Sequence, residues 1–154
     1  MDQRGARRLT RAASALAVAA ALLAGCVGHS RTEDDYRRKA TKTVEVASSS
    51  AQTVLVAVDV IEDKGAFDPY LGRVIGQAEE DTAAALDSFG VVQPPSTTSD
   101  EVRDEVDRLV GDALDLLAEA RIAIRRGDAE SVAALRPDLE DTVAALDRFA
   151  EAPA

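Results

Sequence analysis

The side chains that most often carry out chemistry in proteins are scarce in this sequence. Among 154 residues there is one cysteine, Cys26, one histidine, His29, one methionine and no tryptophan. A nucleophile–imidazole–carboxylate triad needs a histidine held in a folded site. His29 instead lies in a short segment with few large apolar residues, where we expect it to be exposed. Soft-metal sites and covalent haem attachment need several Cys, His or Met ligands. The sequence therefore predicts no catalytic residue, no metal site and no cofactor.

Carboxylates are the one abundant class of reactive side chain, with 28 Asp and Glu residues. Several form short clusters, namely Glu33-Asp34-Asp35, Glu79-Glu80-Asp81, Asp100-Glu101, Asp104-Glu105 and Glu140-Asp141. Some stand where helices are predicted to begin, which suits the helix dipole. A di-iron bundle would need Glu-x-x-His pairs, which the sequence lacks. We interpret the clusters as solvated helix faces that would hold hard cations only weakly.

Cys26 follows a segment that is ordered like an export signal. Residues 1–11 hold four arginines against one acidic residue, and an uncharged stretch rich in Ala, Val and Leu occupies 12–25. This order of basic and then apolar residues is typical of secretory signals. The apolar stretch has 14 residues, whereas a helix needs about 20 to cross the hydrocarbon layer. A permanent transmembrane helix is therefore the weaker interpretation.

The apolar stretch ends in Leu23-Ala24-Gly25-Cys26. These four residues resemble the lipobox of bacterial lipoproteins, an aliphatic residue and two small residues before a cysteine. The resemblance covers the signal alone, residues 1–26. It implies that the Cys26 thiol receives a diacylglyceryl group and that a signal peptidase cuts just before it. Two other interpretations of Cys26 stay open, a buried thiol and the residue that follows an ordinary secretory cleavage site.

The resemblance predicts an exported protein that is anchored by lipid to the outer face of the cytoplasmic membrane. Loss of residues 1–25 would change the formal charge from −10 to −13, so the mature domain should be repelled by anionic headgroups. The same charge disfavours nucleic acid as a partner. Arginine exceeds lysine by 15 to 3, a bias that resembles high-GC actinobacteria.

Four amphipathic patterns follow the signal, and the first runs from about residue 35 to 63. Its apolar positions recur at spacings of three and four, as on one stripe of a helix. They are Ala40, Val44, Ala47, Ala51, Val54, Val58 and Ile61. Within it, residues 54–61 are rich in β-branched side chains and have the composition of a buried strand. We prefer a helix because the stripe continues upstream.

The other three patterns have clearer boundaries. The second restarts at Asp68-Pro69 and ends at Gly90. We expect Phe67 and Tyr70 at its start to fill the core, and the alternative is that they line a small apolar mouth at one end of the bundle. A Pro- and Ser/Thr-rich linker, 91–99, leads to the third, where Thr98 and Glu101 have capping-box spacing. The fourth follows a turn at residues 127–128 and is interrupted by Pro137, which lacks an amide hydrogen.

These patterns predict an all-α fold, an antiparallel up-and-down four-helix bundle whose fourth helix is kinked or broken at Pro137. The domain boundaries we expect are a signal peptide at 1–25, the lipidated cysteine and a tether at 26–34, and the bundle at 35–151. A ten-residue segment, 80–89, matches 140–149 at eight positions. The match suggests that the second and fourth helices are equivalent, although chance in an Ala- and Asp-rich chain stays open.

The scarcity of reactive groups favours a protein that binds rather than catalyses. We expect a non-enzymatic helical module that contacts another protein of the cell envelope, with the membrane as its second partner through the lipid. The alternative is a carrier that holds a small apolar or lipid ligand between its helices. That alternative predicts space beside small core residues, for which the candidates are Ala78, Ala85, Ala113 and Ala120.

Overall fold

The computed structural model describes residues 32–64 and 69–153. These residues form four long helices and one short helix, with bounds α1 Glu33–Lys64, α2 Pro69–Gly90, α3 Thr97–Arg126, α4 Ala129–Ala134 and α5 Arg136–Glu151. The predicted all-α helical bundle is thereby confirmed. The first helix begins at Glu33, two residues before the expected start of the bundle domain. The signal, Cys26 and His29 lie outside the described residues.

Helix α1 is the central helix of the core. All seven residues of its predicted stripe are buried, none more than 2% exposed. Residues 54–61 are helical, so the strand interpretation is wrong. By length and composition Glu33–Asp63 is able to cross a membrane, but half of its most apolar window is buried inside the bundle. The core helix of a soluble protein also passes this test of length and composition.

Helices α1 and α3 contact each other along the middle of the bundle, and α2 and α5 each contact both of them. The buried side chains form two clusters along this axis. One surrounds Tyr36, Phe89 and Phe149, and the other surrounds Val58, Leu117 and Leu139. Aliphatic side chains fill most of both clusters, so close packing and burial of apolar surface stabilise the fold.

The start of the third long helix differs from the sequence prediction, whereas the turn predicted at residues 127–128 is confirmed. The N-cap of α3 is Ser96, whose hydroxyl accepts from the amide of Ser99, so the capping box predicted for Thr98 is wrong. The same helix ends at Gly127, whose φ of 68° lies in the left-handed region that favours glycine. Asp128 then caps α4 by accepting from the Ser131 amide at 3.0 Å.

The expected interruption of the fourth helical pattern is present. The pattern is divided into α4 and α5, with Leu135 between them and Pro137 in the first turn of α5. A proline is tolerated there because the first turn has no intrahelical partner for its missing amide hydrogen. Tyr70 at the start of α2 is 66% exposed, so its predicted place in the core is wrong. Phe67 lies outside the described residues.

The two segments with similar sequences occupy similar places. Helices α2 and α5 both pack on α1 and α3, and their last apolar residues, Phe89 and Phe149, are both buried in the cluster around Tyr36. The repeated Glu-Asp-Thr…Leu-Asp-x-Phe pattern therefore serves the same packing role on two sides of one helix pair. This arrangement favours equivalence of the two helices over chance.

Candidate functional site

An apolar groove runs along the surface between α1 and the end of α2. Its volume is about 500 Å³. Residues from both helices and from the segment after α2 line it, namely Lys39, Lys42, Thr43, Val46, Ala85, Ser88, Phe89, Val91 and Val92. Two valines in it meet solvent, Val46 at 36% and Val91 at 74% exposure. Exposed aliphatic side chains gathered in a concave surface are typical of binding sites.

Contacts on either side of the groove hold α1 and α2 together. The rings of Tyr36 and Phe89 lie 5.0 Å apart between centroids and are tilted by 48°, a favourable aromatic arrangement. Further along α1, the hydroxyls of Ser50 and Thr82 lie 2.8 Å apart. Both residues are buried. These paired contacts set the spacing of the two helices and thereby the width of the groove.

The segment after α2 forms one edge of the groove because Val92 is buried. The Val92 amide donates to the Phe89 carbonyl at 2.9 Å, and its carbonyl accepts from the Arg103 guanidinium. Arg103 also donates to the Tyr36 hydroxyl at 3.1 Å. With Val92 held inward, the adjacent Val91 projects from the fold. The exposure of Val91 therefore follows from the structure of the turn.

The charges beside the groove are opposite in sign to the formal charge of the chain. Lys39 and Lys42 line it, and they are two of only three lysines in the sequence. Lys39 is paired with Asp35 at 3.1 Å. A more polar depression of about 540 Å³ continues from the same side chains, Lys42 and Val46, towards Asp81. Glu45 also lines this depression. Since Lys39 is paired with Asp35, the positive charge that the groove offers to a ligand is mainly that of Lys42.

Within the described residues, the groove lies apart from the groups whose pKa is displaced and from any cluster that could bind a metal. No group of three or more His, Cys, Asp or Glu residues in the described ranges is placed to hold a metal ion. Clear displacements of pKa occur away from the groove. Hydrogen bonds and opposite charge raise the pKa of Arg121 beside Glu79 and of Arg136 beside Asp59. The hydroxyl and amide of Ser131 lower the pKa of Asp128.

The residues predicted from the sequence to carry function do not line the groove. Leu23, Ala24, Gly25 and Cys26 lie outside the described residues. Most members of the acidic clusters are exposed, as expected of solvated faces, and half-buried Glu79 is bonded to Arg121. Among the alanines considered for a ligand cavity, Ala113 and Ala120 are fully buried, and Ala85 lines the groove.

Sequence reasoning missed the groove, although two weak signals were present. Val46 lies between the stripe residues Val44 and Ala47, so it is an apolar side chain off the stripe. Val91 follows the glycine that ends α2 and begins the linker. Single exposed valines are common on protein surfaces, so neither position pointed to a site until the fold placed them in one groove.

Comparison of the chain with models of known families, with curated proteins and with solved structures found no match.

Proposed function

We propose that this protein is a lipid-anchored protein of the cell envelope whose helical bundle binds a protein partner and carries out no catalysis. Support for the anchor comes from Leu23-Ala24-Gly25-Cys26 after a basic and an apolar segment. Support for binding comes from one observation above all, the apolar groove between α1 and α2 with its exposed valines and adjacent lysines. On this proposal the protein is exported and faces outward from the cytoplasmic membrane.

The proposal includes an antiparallel up-and-down order of the long helices. Contacts between helix ends support it. At the start of α1, Arg37 donates to the carbonyl of Phe149 near the end of α5 at 2.7 Å. Near the end of α1, Asp59 accepts from Arg136 at the start of α5 at 2.6 Å. In this order, the end of the groove beside Tyr36 lies at the same end of the bundle as the tether.

The anchor is tested by the mass and location of the protein expressed in a bacterial host. We expect the membrane fraction to contain a chain that starts at Cys26 and carries a diacylglyceryl group. A Cys26→Ser variant should accumulate as the unmodified precursor or leave the membrane. A matched control, Ser30→Ala, should behave as the wild type. A Cys26→Ser variant that is cut and retained like the wild type would refute lipid anchoring.

The groove is tested by photo-crosslinking in intact cells. A photoreactive phenylalanine at position 91 should give one discrete protein adduct because Val91 is exposed at the groove edge. The same group at Val56, which is 61% exposed on α1 and does not line the groove, is the control. Val46→Asp should remove the adduct by placing a carboxylate in the apolar lining. Equal adducts from positions 56 and 91, or no adduct at all, would contradict the proposal.

The carrier remains the second candidate, and the apolar lining that includes Ala85 favours it. A groove of this volume falls within the range of small-molecule sites. Native mass spectrometry of the purified protein separates the two candidates. A co-purified small molecule that Val46→Asp releases would support the carrier, whereas a clean protein mass together with the crosslink at position 91 would support the protein partner.

A further inference from the structure

A second pocket, separate from the groove, lies between α1, α3 and α5. Its volume is about 300 Å³, at the lower end of the range for small-molecule sites. Three arginines and one acidic residue line it, Arg37, Arg108, Arg148 and Glu105, together with apolar atoms that include those of Phe149. The pocket therefore has an excess of positive charge on a domain that is otherwise strongly acidic.

Arg37 is the most informative of these arginines because it is half-buried without a carboxylate partner. Its guanidinium carbon lies 3.9 Å from the centre of the Phe149 ring, and one nitrogen donates to the Phe149 carbonyl at 2.7 Å. The Nε atom is buried and has no hydrogen-bond partner. Partial burial of a guanidinium is unfavourable unless an anion compensates its charge. Within the described residues the fold supplies none to Arg37.

The other two arginines leave most of their charge available. Arg108 contacts Asp112 at 3.4 Å, with both side chains about 60% exposed, and such a pair contributes little. Arg148 is exposed and makes no ion pair within the described part of the chain. Three guanidiniums thus border the same space, and within the described residues they have either a weak carboxylate partner or none.

We infer that this pocket binds a phosphate group, carried either by the headgroup of an anionic lipid or by a free phosphate. The planar guanidinium fork matches the oxygen atoms of phosphate and binds them through paired hydrogen bonds. The adjacent Phe149 ring offers an apolar wall to the rest of a larger ligand. The inference goes beyond the proposed function, since it concerns another pocket and does not depend on the groove.

The position of the pocket favours the lipid source. Arg37 lies one turn after the start of α1 at Glu33. Six residues lie between Cys26 and Glu33. The seven Cα-to-Cα steps that join them limit the tether to about 24 Å when fully extended. If Cys26 is lipidated as proposed, the pocket lies within reach of the headgroup layer. Because the rest of the mature domain is acidic, general attraction to anionic lipid should be weak, and binding should depend on the pocket.

The test uses the full chain in a non-ionic detergent with two probes. Inorganic phosphate is titrated by calorimetry, and phosphatidylglycerol is compared with zwitterionic phosphatidylcholine by native mass spectrometry. The main variant is Arg148→Gln, since this exposed side chain has no contact whose loss would unfold the bundle. Arg37→Lys keeps the charge and removes the fork. Arg125→Gln, an exposed arginine in the last turn of α3, is the matched control.

We expect the wild type to bind and Arg148→Gln to bind about tenfold more weakly, as for loss of one charge-assisted hydrogen bond. Arg37→Lys should weaken binding similarly, and Arg125→Gln should change it less than about twofold. Preference for phosphatidylglycerol over phosphatidylcholine would identify the headgroup as the source, and binding of inorganic phosphate alone would identify the free ion. Absence of binding in both arms, an unchanged affinity in Arg148→Gln, or an equal loss in Arg125→Gln would overturn the inference. Lipidation of Cys26 and the crosslink at position 91 are measured in separate experiments. Failure of phosphate binding can therefore be distinguished from failure of the proposed function.

Discussion

The buried hydroxyl pair between α1 and α2 allows a sharp test of how these helices are held. Thr82 is fully buried, and its hydroxyl oxygen lies 2.8 Å from the hydroxyl of Ser50 and 2.8 Å from the carbonyl of Ala78. The Ser50 hydroxyl lies 3.2 Å from the same carbonyl. Thr82→Val replaces the hydroxyl with a methyl group of similar size, so it removes hydrogen bonding with little change in volume.

The expected loss of unfolding free energy follows from the hydrogen bonds that each hydroxyl keeps. A hydrogen bond within a protein contributes about 0.5–1.5 kcal/mol net. In Thr82→Val, the Ser50 hydroxyl still reaches the Ala78 carbonyl, so we expect unfolding free energy to fall by about 1 kcal/mol. Ser50→Ala should lower the unfolding free energy by about the same amount, because the Thr82 hydroxyl keeps its hydrogen bond to the Ala78 carbonyl. The double variant should cost less than the sum of the two, with a coupling of about 0.5–1 kcal/mol.

The measurement is urea unfolding of a chain that begins at Val27, followed by circular dichroism. Thr53→Val is the matched control, since Thr53 bonds only the carbonyl of Ser49 in its own helix at 2.9 Å and joins no second helix. Its effect should be smaller than that of Thr82→Val. Strict additivity of the Ser50 and Thr82 changes, or equal effects at Thr53 and Thr82, would refute the reasoning that this pair couples α1 to α2.

Three further predictions concern the cluster around Val58, Leu117 and Leu139 and the helix ends beside it. Leu139→Ala should lower unfolding free energy by about 2–5 kcal/mol in urea denaturation, because Leu139 is fully buried in the aliphatic cluster, whereas Val56→Ala should change it by less than about 0.5 kcal/mol. Arg136→Gln should reduce the thermal midpoint slightly, and added salt should shrink the difference from wild type, because its bonds to α1 lie at the surface. Asp128 has a lowered pKa because the Ser131 hydroxyl and amide bond its carboxylate, so its stabilising effect is present above the ordinary value near 3.8 and is lost as pH falls through the lower folded pKa. Acid unfolding of Asp128→Ala should therefore differ from wild type at neutral pH and converge with it at low pH, and a constant difference at all pH values would be inconsistent with the cap.

The periodic patterns predicted the helices well because burial repeats with the helical turn. The stripe from Ala40 to Ile61 is entirely buried, and β-branched composition did not make a strand of residues 54–61. Packing against neighbouring helices outweighs the weak helix propensity of valine there. The same logic placed the division of the last pattern beside Pro137, where the missing amide hydrogen is a strictly local constraint.

Local sequence signals predicted less well where several neighbouring residues could fill the same structural role. Ser96, Thr97, Thr98 and Ser99 all have hydroxyls suited to capping, and the path of the chain into α3 selected Ser96. Tyr70 has the apolar surface of a core residue, yet it is exposed to solvent. It lies on the face of α2 opposite to the face that packs against α1 and α3. Neither outcome follows from spacing alone, since each depends on where a neighbouring helix lies.

The candidate sites differ in whether their residues are neighbours along the chain. The resemblance to a lipobox rests on four consecutive residues, Leu23-Ala24-Gly25-Cys26, so it can be recognised without any fold, and it stays a prediction. By contrast, the groove joins residues from α1 with residues from the end of α2 and beyond, and the arginine pocket joins three helices. Such constellations have no sequence spacing to identify them.

The amino-acid sequence by itself determined the helical class, the buried stripe of α1 and the break beside Pro137, because these depend on neighbours along the chain. The lipid anchor stays a prediction from the sequence. Tertiary structure decided which exposed valines share a groove and which arginines share a pocket. Only the packing of α2 and α5 against α1 and α3 brings those side chains together, and burial on one side of a helix leaves the other side free to bind.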